Sequence, residues 1–464
     1  MALRLEDVSL QVRHTEYAVR GPIVARAQEL ERAGREIVFC NIGNPQSLGQ
    51  RPITYVRQLL ALMEYPELLE RVPPGTFPPD VVETARHLLD HASHGLGVYT
   101  ESKGFRFVRE AVATFIRQRD GIEADAEAIF LTDGASKGVQ SVLRMLIGDA
   151  RDGILIPIPQ YPLYSATIAL YGGAAIPYAL DEEADWSLSR ATLEAAVAKA
   201  KAQGLRPRAV VVINPGNPTG AVLDEQNVAM VLAFAQEHGL SVLADEVYQE
   251  NVYRPGARFV SFASVLERRG VRDVSLFSFH STSKGYLGEC GHRGGYLECR
   301  GVPADVLAEV TKLQSVALCA NTAGQIVTYC LVHPPRPGSP SFALWDKERR
   351  AILDALARKA ELVGRGLAAV EGIHCNPVAG AMYAFPRLDL PPGVTDFEYC
   401  LALLEETGIC VVDGTGFGQA QGTWHLRTTI LPPLDQIEKV VKKVAEFHAR
   451  FTAARRAAAP GAAR

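Results

Sequence analysis

The chain has 464 residues, of which 47% are hydrophobic and 22% charged, and its formal net charge at pH 7 is -4. This balance is typical of a globular protein with enough residues for two or three domains. The small negative charge gives no general affinity for nucleic acid or for an anionic membrane surface, so we expect neither as a partner. No apolar run approaches the roughly 20 residues that a membrane-spanning helix needs.

The cysteines and the first residues bear on the cellular compartment. Eight cysteines are scattered along the chain without a Cys-x-x-Cys pair. That spacing argues against both a zinc cluster and a disulfide framework. Residues 1–7 carry acidic side chains and no apolar segment, unlike a secretory signal or a mitochondrial presequence. We therefore expect a cytoplasmic protein with reduced thiols.

The first ninety residues are mostly helical in pattern. One short strand, residues 37–42, ends at Gly43, where a ligand can approach the backbone closely. His87 and His91 lie four positions apart on a predicted helix, with His94 just beyond, so the first two share a face. Because no motif such as His-Glu-x-x-His accompanies them, we expect solvated histidines there rather than a metal site.

From residue 129 onward, apolar strands alternate with helices. The five predicted strands are residues 129–132, 153–158, 209–213, 240–244 and 271–277. Continuous apolar strands separated by helices predict a mostly parallel sheet that is covered by helices on both faces. In such sheets, ligands bind beyond the carboxyl ends of the strands.

The segment after the last of these strands carries the strongest functional signal. Lys284 lies in the run Ser-Thr-Ser-Lys-Gly at 281–285, and Arg293 follows nine positions later. A lysine amine forms a Schiff base with an aldehyde. Pyridoxal 5'-phosphate (PLP) combines that aldehyde with a phosphate, for which Ser281, Ser283 and Arg293 are suitable partners. The segment therefore predicts a PLP site, and the alternative is a surface lysine in a glycine-rich loop.

Residues that follow three other strands suit the same ligand. Ala135 and Ser136 open a helix whose free amides and hydroxyl suit an anion, although Ser136 could also serve only as a helix cap. Tyr161 could stack on a flat ring or simply fill the core. Asn217 could bond the ring's phenolic oxygen or only shape its proline-rich turn.

Asp245, Tyr248 and Arg427 are three further candidates for this site. Asp245 follows an apolar run, and a buried carboxylate needs a cationic partner such as a pyridinium N–H. Tyr248, three residues on, can reach the ring's phenolic oxygen. Arg427 lies on a predicted strand near several glycines, where it suits a carboxylate clamp or a charge at the sheet edge.

Taken together, three motifs resemble those of the class I (fold-type I) PLP-dependent aminotransferases, over roughly residues 15–450. They are Asn-Pro-Gly-Asn-Pro-Thr-Gly at 214–220, Asp-Glu-Val-Tyr at 245–248 and Ser-Thr-Ser-Lys at 281–284. More narrowly, the chain resembles the alanine aminotransferases, through residues 17–22, 41–46, 49–54 and 281–291.

The resemblance implies an α/β fold with two domains. The large domain would hold a mostly parallel seven-stranded sheet between helices, and a smaller α+β domain would be built from both chain ends. The implied segments are an N-terminal arm with part of the small domain at 1–60, the large PLP-binding domain at 61–335 and the small domain at 336–452. The Ala/Arg-rich composition of 453–464, with Pro460 and Gly461, predicts a disordered tail.

The resemblance also implies a role for each candidate residue. Lys284 would form the Schiff base, with Asp245 and Tyr248 as further catalytic residues. The implied cofactor-binding residues are Ala135, Ser136, Tyr161, Asn217, Asp245, Tyr248, Ser281, Ser283, Lys284, Arg293 and Tyr99. Tyr99 would reach the phosphate of the neighbouring subunit, which implies a homodimer. Gly43, Asn217 and Arg427 would bind the substrate.

The implied reaction is a ping-pong transfer of the amino group from L-alanine to 2-oxoglutarate, which gives pyruvate and L-glutamate. A transaminase that pairs glutamate or alanine with glyoxylate is the nearest alternative, because specificity depends on the shape of the pocket. A PLP lyase or synthase on the same fold is a further alternative. A PLP-binding transcription regulator is disfavoured, because only about 20 residues precede the match and no basic patch accompanies them. No metal is expected.

Overall fold

The computed structural model describes residues 3–17, 21–92 and 95–458 of the chain. Within these ranges, no helix combines the length and the apolar character that crossing a membrane requires. The α-helices are α1 (Leu10–Arg13), α2 (Pro22–Arg32), α3 (Thr54–Glu64), α4 (Leu68–Arg71), α5 (Pro79–His91), α6 (Arg106–Asp120), α7 (Ala135–Leu146), α8 (Leu163–Leu170), α9 (Arg190–Ala202), α10 (Glu225–His238), α11 (Phe262–Arg268), α12 (Ala304–Ser315), α13 (Thr322–Val332), α14 (Phe342–Ala368), α15 (Asp396–Thr407) and α16 (Leu434–Ala458).

The strands are short outside one central sheet. They are β1 (Val38–Phe39), β2 (Ile129–Leu131), β3 (Asp152–Ile158), β4 (Ala174–Ala179), β5 (Arg206–Ile213), β6 (Ser241–Asp245), β7 (Leu276–Ser281), β8 (Gly295–Arg300), β9 (Ile373–His374), β10 (Tyr383–Ala384), β11 (Arg387–Leu388), β12 (Ile409–Cys410), β13 (Val412–Asp413) and β14 (Leu426–Thr429).

The central sheet has seven strands in the order β2-β8-β7-β6-β5-β3-β4. Its neighbours run parallel except that β8 is antiparallel to both β2 and β7. The predicted mostly parallel seven-stranded sheet is therefore confirmed. Ile213, Asp245 and Phe279 are register partners near the carboxyl ends of β5, β6 and β7. The three segments that leave these strands thus start side by side.

Helices cover both faces of this sheet, which explains its continuous apolar strands. Val210 and Val212 point into one apolar core, and Val211, between them, points into another. Complete burial of a valine-sized side chain contributes about 1.5–3 kcal/mol. A strand that buries both faces therefore has no polar alternation in its sequence.

Two of the seven strands were absent from the sequence pattern, and one was misplaced. In β4, at the sheet edge, every second residue is exposed or half-buried and Pro177 interrupts the apolar run, which an edge strand tolerates. β8 follows β7 without an intervening α-helix, so the expected alternation fails there. β7 spans 276–281 rather than 271–277, because its polar residues Ser278 and His280 are buried.

A second apolar core joins the two ends of the chain. β1 pairs in parallel with β12, and Ile23 of α2 belongs to the same buried cluster as Phe447 of α16. The predicted smaller α+β domain built from both chain ends is confirmed by this arrangement.

The structure also bears on the limits of the segments. The boundary predicted after residue 60 divides α3, whose Tyr55 and Leu59 pack in the large core, so residues 53–60 belong with that core instead. α14 gives Trp345 to the large core and Leu356 to the second one. α16 continues to Ala458, so residues 453–458 are helical rather than part of a disordered tail, and 459–464 lie outside the described residues. The remaining boundaries stay predictions.

Candidate active site

A cavity of about 440 Å³ opens beyond the carboxyl ends of β5, β6 and β7. Eleven of the predicted site residues line it, namely Gly43, Ala135, Ser136, Tyr161, Asn217, Asp245, Tyr248, Ser281, Ser283, Lys284 and Arg293. A cavity of about 470 Å³ beside α14 contains none of them. The convergence of an amine, a carboxylate and an anion-binding cluster makes the first cavity the candidate active site.

Lys284 stands in the middle of this cavity, three residues after β7 ends. Its Nζ donates a hydrogen bond to the carbonyl oxygen of Gly43 at 2.8 Å. Gly43 has no room for a side chain, because a Cβ there would come within 1.8 Å of the Tyr383 hydroxyl and 3.1 Å of the amine. The glycine therefore brings its backbone directly against the amine.

Asp245 ends β6 and is buried at the floor of the cavity. Its Oδ2 accepts a hydrogen bond from the hydroxyl of Tyr164 at 2.8 Å, while its Oδ1 is buried without a partner. Burial raises the pKa of Asp245 to about 6, although the Tyr164 hydroxyl and the charge of Lys284 oppose this shift. The open oxygen is therefore a site for a donor that carries positive charge.

An anion-binding cluster lies at the N-terminus of α7. Ala135 and Ser136 are its first two residues, and Gly134 before them has a left-handed φ of 73°. A Cβ at Gly134 would lie 2.6 Å from a guanidinium nitrogen of Arg293, so the glycine lets the arginine pack across the helix end. Free amides, the helix dipole and a guanidinium together favour a phosphate.

Two hydroxyls complete this cluster. The Oγ atoms of Ser281 and Ser283 lie 3.1 Å apart. The guanidinium of Arg293 donates to the carbonyl oxygens of Cys290 and Asp133, each at 3.0 Å. Carbonyl oxygens hold the guanidinium in place without neutralising its charge, so the charge stays available to an anion.

Arg427 is a buried cation behind the cavity. Its guanidinium lies over the rings of Tyr383, at 4.3 Å, and Phe417, at 4.6 Å. It donates to the Oδ1 of Asn217 at 3.3 Å and to the carbonyl oxygen of Asn41, and its Nε has no partner. Among the described residues no carboxylate pairs with it. A buried arginine without an acidic partner is suited to binding a carboxylate ligand.

A family model for class I and II aminotransferases matches residues 71–444. This chain belongs to that family. Alanine aminotransferase 1 of Homo sapiens is 48% identical over 97% of this chain and 95% of its own length. Glutamate–glyoxylate aminotransferase 1 of Arabidopsis thaliana is 46% identical, over 97% of this chain and 96% of its own. The solved structure of an alanine aminotransferase from Pyrococcus furiosus has a TM-score of 0.79 at 25% identity, covering 96% of this chain and 100% of that one.

The cofactor of this aminotransferase is PLP, and the cavity fits it. The unpaired Oδ1 of Asp245 would accept the N–H of a pyridinium ring. The cluster at the start of α7 would take the phosphate, and the amine of Lys284 would meet the aldehyde. Each polar feature that PLP requires has a counterpart among the residues present.

Tyrosine side chains surround the place where the ring would lie. Tyr161 lines the cavity, and its hydroxyl is 2.6 Å from that of Tyr17 in the N-terminal arm. Tyr248 and Tyr383 make an edge-to-face contact with ring centroids 6.2 Å apart. Burial raises the pKa of both Tyr161 and Tyr248 well above the usual value, so these hydroxyls stay protonated and can donate hydrogen bonds.

Two groups of predicted residues lie elsewhere. Tyr99 does not line the cavity and is 76% exposed. The rings of His87 and His91 are 4.7 Å apart, and His94 lies outside the described residues. In the described ranges, no group of three or more His, Cys, Asp or Glu residues is arranged to hold a metal ion.

Sequence reasoning missed three residues of the site: Tyr164, Cys290 and Tyr383. Tyr164 holds Asp245, Cys290 lines the cavity, and Tyr383 touches both Gly43 and Arg427. Tyr164 follows Tyr161 by three residues within the same post-strand segment, so its position was the one available signal. Tyr383 and Cys290 had none beyond lying near predicted site elements.

Proposed function

We propose that this aminotransferase transfers the amino group of L-alanine to 2-oxoglutarate, giving pyruvate and L-glutamate. The observation that carries the proposal is that Arg427, a buried cation without an acidic partner, lies behind the cavity that holds Lys284 and Asp245. A carboxylate at that arginine would place the α-amino acid beside the amine. The similarity to the alanine aminotransferases of Homo sapiens and Pyrococcus furiosus supports the choice of substrate.

Residues of the large domain would hold the cofactor. PLP, when bound, supplies a conjugated ring that withdraws electrons from the substrate's α-carbon. Asp245 would keep the ring nitrogen protonated, because its buried, unpaired oxygen would accept the N–H. Asn217 and Tyr248 would hold the phenolic oxygen, and Tyr161 would stack on the ring. The α7 N-terminus, with Ser281, Ser283 and Arg293, would bind the phosphate, because these groups form the anion-binding cluster of the cavity.

Arg427, Asn217 and Gly43 would bind the substrate's α-carboxylate. A guanidinium offers two parallel N–H donors to a carboxylate. Tyr383 and Phe417 cover the faces of the Arg427 guanidinium. Only the N–H groups at its edge are therefore available to a carboxylate. This arrangement orients the α-carbon, which both substrates share, with respect to Lys284.

Lys284 would act as the general base. Its Nζ removes the proton from the substrate's α-carbon and holds it for the second half of the transfer. The carbonyl oxygen of Gly43, 2.8 Å from this nitrogen, accepts a hydrogen bond and steadies the amine. The amine serves both half-reactions, because donor and acceptor occupy the same cavity in turn.

We further propose a homodimer in which Tyr99 reaches the cofactor phosphate of the neighbouring subunit. Support comes from the exposure of this aromatic side chain and from the family resemblance of its surroundings. Sedimentation velocity, together with cofactor affinity of a Tyr99→Phe variant, tests both parts. A monomer with unchanged affinity would contradict them. The predicted cytoplasmic location remains a prediction.

The nearest second function uses glyoxylate as the acceptor. It is favoured by the 46% identity to a glutamate–glyoxylate aminotransferase over nearly the whole chain. Initial rates with L-alanine as donor, measured for 2-oxoglutarate and glyoxylate at equal concentrations, separate the two. We expect 2-oxoglutarate to give the higher kcat/KM. A PLP lyase or synthase would release product from L-alanine without any oxo-acid acceptor.

A further inference from the structure

Tyr383 lies on β10 and enters the cavity from the second core, facing Lys284. β10 is only two residues long, but Tyr383 is the register partner of Thr429 on β14, the strand that carries Arg427. The side chain is 3% exposed. A buried polar side chain on a paired strand has little freedom to leave its position.

The ring of Tyr383 is fixed by two contacts. The guanidinium of Arg427 lies 4.3 Å from its centroid, and the ring of Tyr248 meets it edge to face at 6.2 Å and 85°. Tyr383 therefore packs between Arg427, which is proposed to bind the carboxylate, and Tyr248, which is proposed to bind the cofactor ring. The ring orientation decides where the hydroxyl points.

The hydroxyl points at Gly43, the residue whose carbonyl accepts the hydrogen bond from Lys284. A Cβ built on Gly43 would lie 1.8 Å from this hydroxyl and 3.1 Å from Nζ of Lys284. The hydroxyl and the amine are therefore neighbours over the same glycine. No described residue other than Gly43 is hydrogen-bonded to the amine.

The charges around Tyr383 favour such a pairing. Burial raises the pKa of Tyr383, but the positive charges of Lys284 and Arg427 lower it, so the pKa lies below its usual value. A hydrogen bond with Tyr248 acts in the same direction, and the Cys290 thiol acts against it. The two positive charges favour electron density on the phenol oxygen, so a hydrogen bond from the protonated amine to this neighbouring oxygen is electrostatically favoured.

We propose that Tyr383 is a positioning residue for Lys284, with its hydroxyl holding the amine for proton transfer while its ring supports Arg427. The inference rests on the proposed transaminase function. A lysine side chain is long and flexible. The Gly43 carbonyl is its one hydrogen-bond partner among the described residues, and the neighbouring Tyr383 hydroxyl is placed to become a second. Misplacement of a catalytic group by about 1 Å can cost about 100-fold in rate.

The Tyr383→Phe variant separates the hydroxyl from the ring. It keeps the ring on Arg427, so we expect KM for L-alanine to stay within about 3-fold while kcat falls about 10- to 100-fold. The rate ratio between ordinary L-alanine and L-alanine deuterated at the α-carbon should rise, since proton transfer becomes slower relative to the other steps. A Tyr383→Leu variant also removes the ring, and KM should then rise as well.

A measurement that does not depend on turnover accompanies the kinetics. The visible absorption of the bound cofactor is titrated with pH in both enzymes. The Tyr383 hydroxyl, by accepting a hydrogen bond from the Lys284 nitrogen, would stabilise the protonated form of that nitrogen. Loss of the hydroxyl should therefore move the midpoint of the absorption titration down by about 0.5 pH unit or more. Tyr399→Phe is the matched control, because Tyr399 is also buried in the second core and its hydroxyl bonds His448 at 3.1 Å, outside the cavity.

The outcomes distinguish this inference from the function on which it rests. If Tyr383→Phe keeps kcat, the isotope ratio and the titration midpoint within error of the wild type, the positioning role is wrong. If only KM changes, Tyr383 serves the carboxylate clamp and the positioning role is likewise wrong. If the wild-type enzyme itself shows no exchange between L-alanine and 2-oxoglutarate, the proposed function fails instead.

Discussion

The hydroxyl of Tyr164 donates to Oδ2 of Asp245 at 2.8 Å and leaves Oδ1 of the same carboxylate buried and unpaired. The hydrogen bond fixes the carboxylate and favours its charged form against the effect of burial. The free oxygen is then presented to the cavity. Tyr164, three residues after the proposed stacking Tyr161, thus orients the carboxylate that is to hold the cofactor ring.

The Tyr164→Phe variant tests this relationship. Loss of the hydroxyl leaves burial less opposed, so the pKa of Asp245 should rise above about 6. In the cofactor-free protein a carboxyl group with a raised pKa gains its charge only at higher pH, so the pH profile of PLP affinity, measured by equilibrium dialysis, should move to higher pH. We expect about a 5- to 30-fold lower affinity for PLP near pH 6, from the loss of about 1–2 kcal/mol. Tyr178→Phe, which removes a buried hydroxyl bonded to Val211, should leave the profile in place.

Replacing Asp245 by Asn should separate catalysis from stability. In the cofactor-free protein the carboxylate is destabilised by burial, and the folded pKa of about 6 lies above the usual 3.8. Its destabilisation therefore grows as pH rises through this range, and the neutral amide avoids it. The amide leaves one buried N–H group without a partner, which offsets the gain. We expect the free energy of unfolding to change by less than about 1 kcal/mol, while single-turnover rates fall by at least about 100-fold.

Removal of the Lys284 amine should abolish turnover without abolishing cofactor binding. The α7 N-terminus and Arg293 do not depend on the lysine for their geometry. In Lys284→Ala we expect PLP to bind, measured by equilibrium dialysis, and turnover to fall by at least about 10,000-fold. Near-normal turnover by this variant would contradict the assignment of Lys284 as the base.

Arg427 should control the binding of both substrates. In Arg427→Lys the positive charge remains, but the paired donors and the flat surface between Tyr383 and Phe417 are lost. We expect KM for L-alanine and for 2-oxoglutarate to rise together by about 10- to 100-fold, the equivalent of one charge-assisted hydrogen bond. A rise for only one of the two substrates would show that Arg427 binds a group that the substrates do not share.

The sequence alone was enough to predict the site residues that directly follow a strand. Lys284, Asp245 and Asn217 each follow a strand of the parallel sheet, and adjacent parallel strands bring such residues together at one edge. Their motifs were specific enough to indicate the family as well. The anion cluster at Ala135 followed from the same rule, because a helix begins there directly after β2.

Other parts of the site depend on packing that no local pattern records. Tyr383 is about a hundred residues from Lys284 in sequence and meets it only because β10 pairs with β14. The lack of an acidic partner for Arg427 is likewise a property of the folded protein. β8 was hidden because it runs antiparallel to the strands that the βα alternation predicts. The predicted role of Tyr99 requires a second copy of the chain.

The most direct test of the central claim is the visible absorption of the purified, PLP-loaded enzyme, recorded before and after L-alanine and then after 2-oxoglutarate. The proposed function predicts that L-alanine removes the absorption band of the lysine-bound cofactor and that 2-oxoglutarate restores it, because the two half-reactions share Lys284 and Arg427. A band that L-alanine leaves unchanged would contradict the alanine substrate. Failure to bind PLP would contradict the site itself.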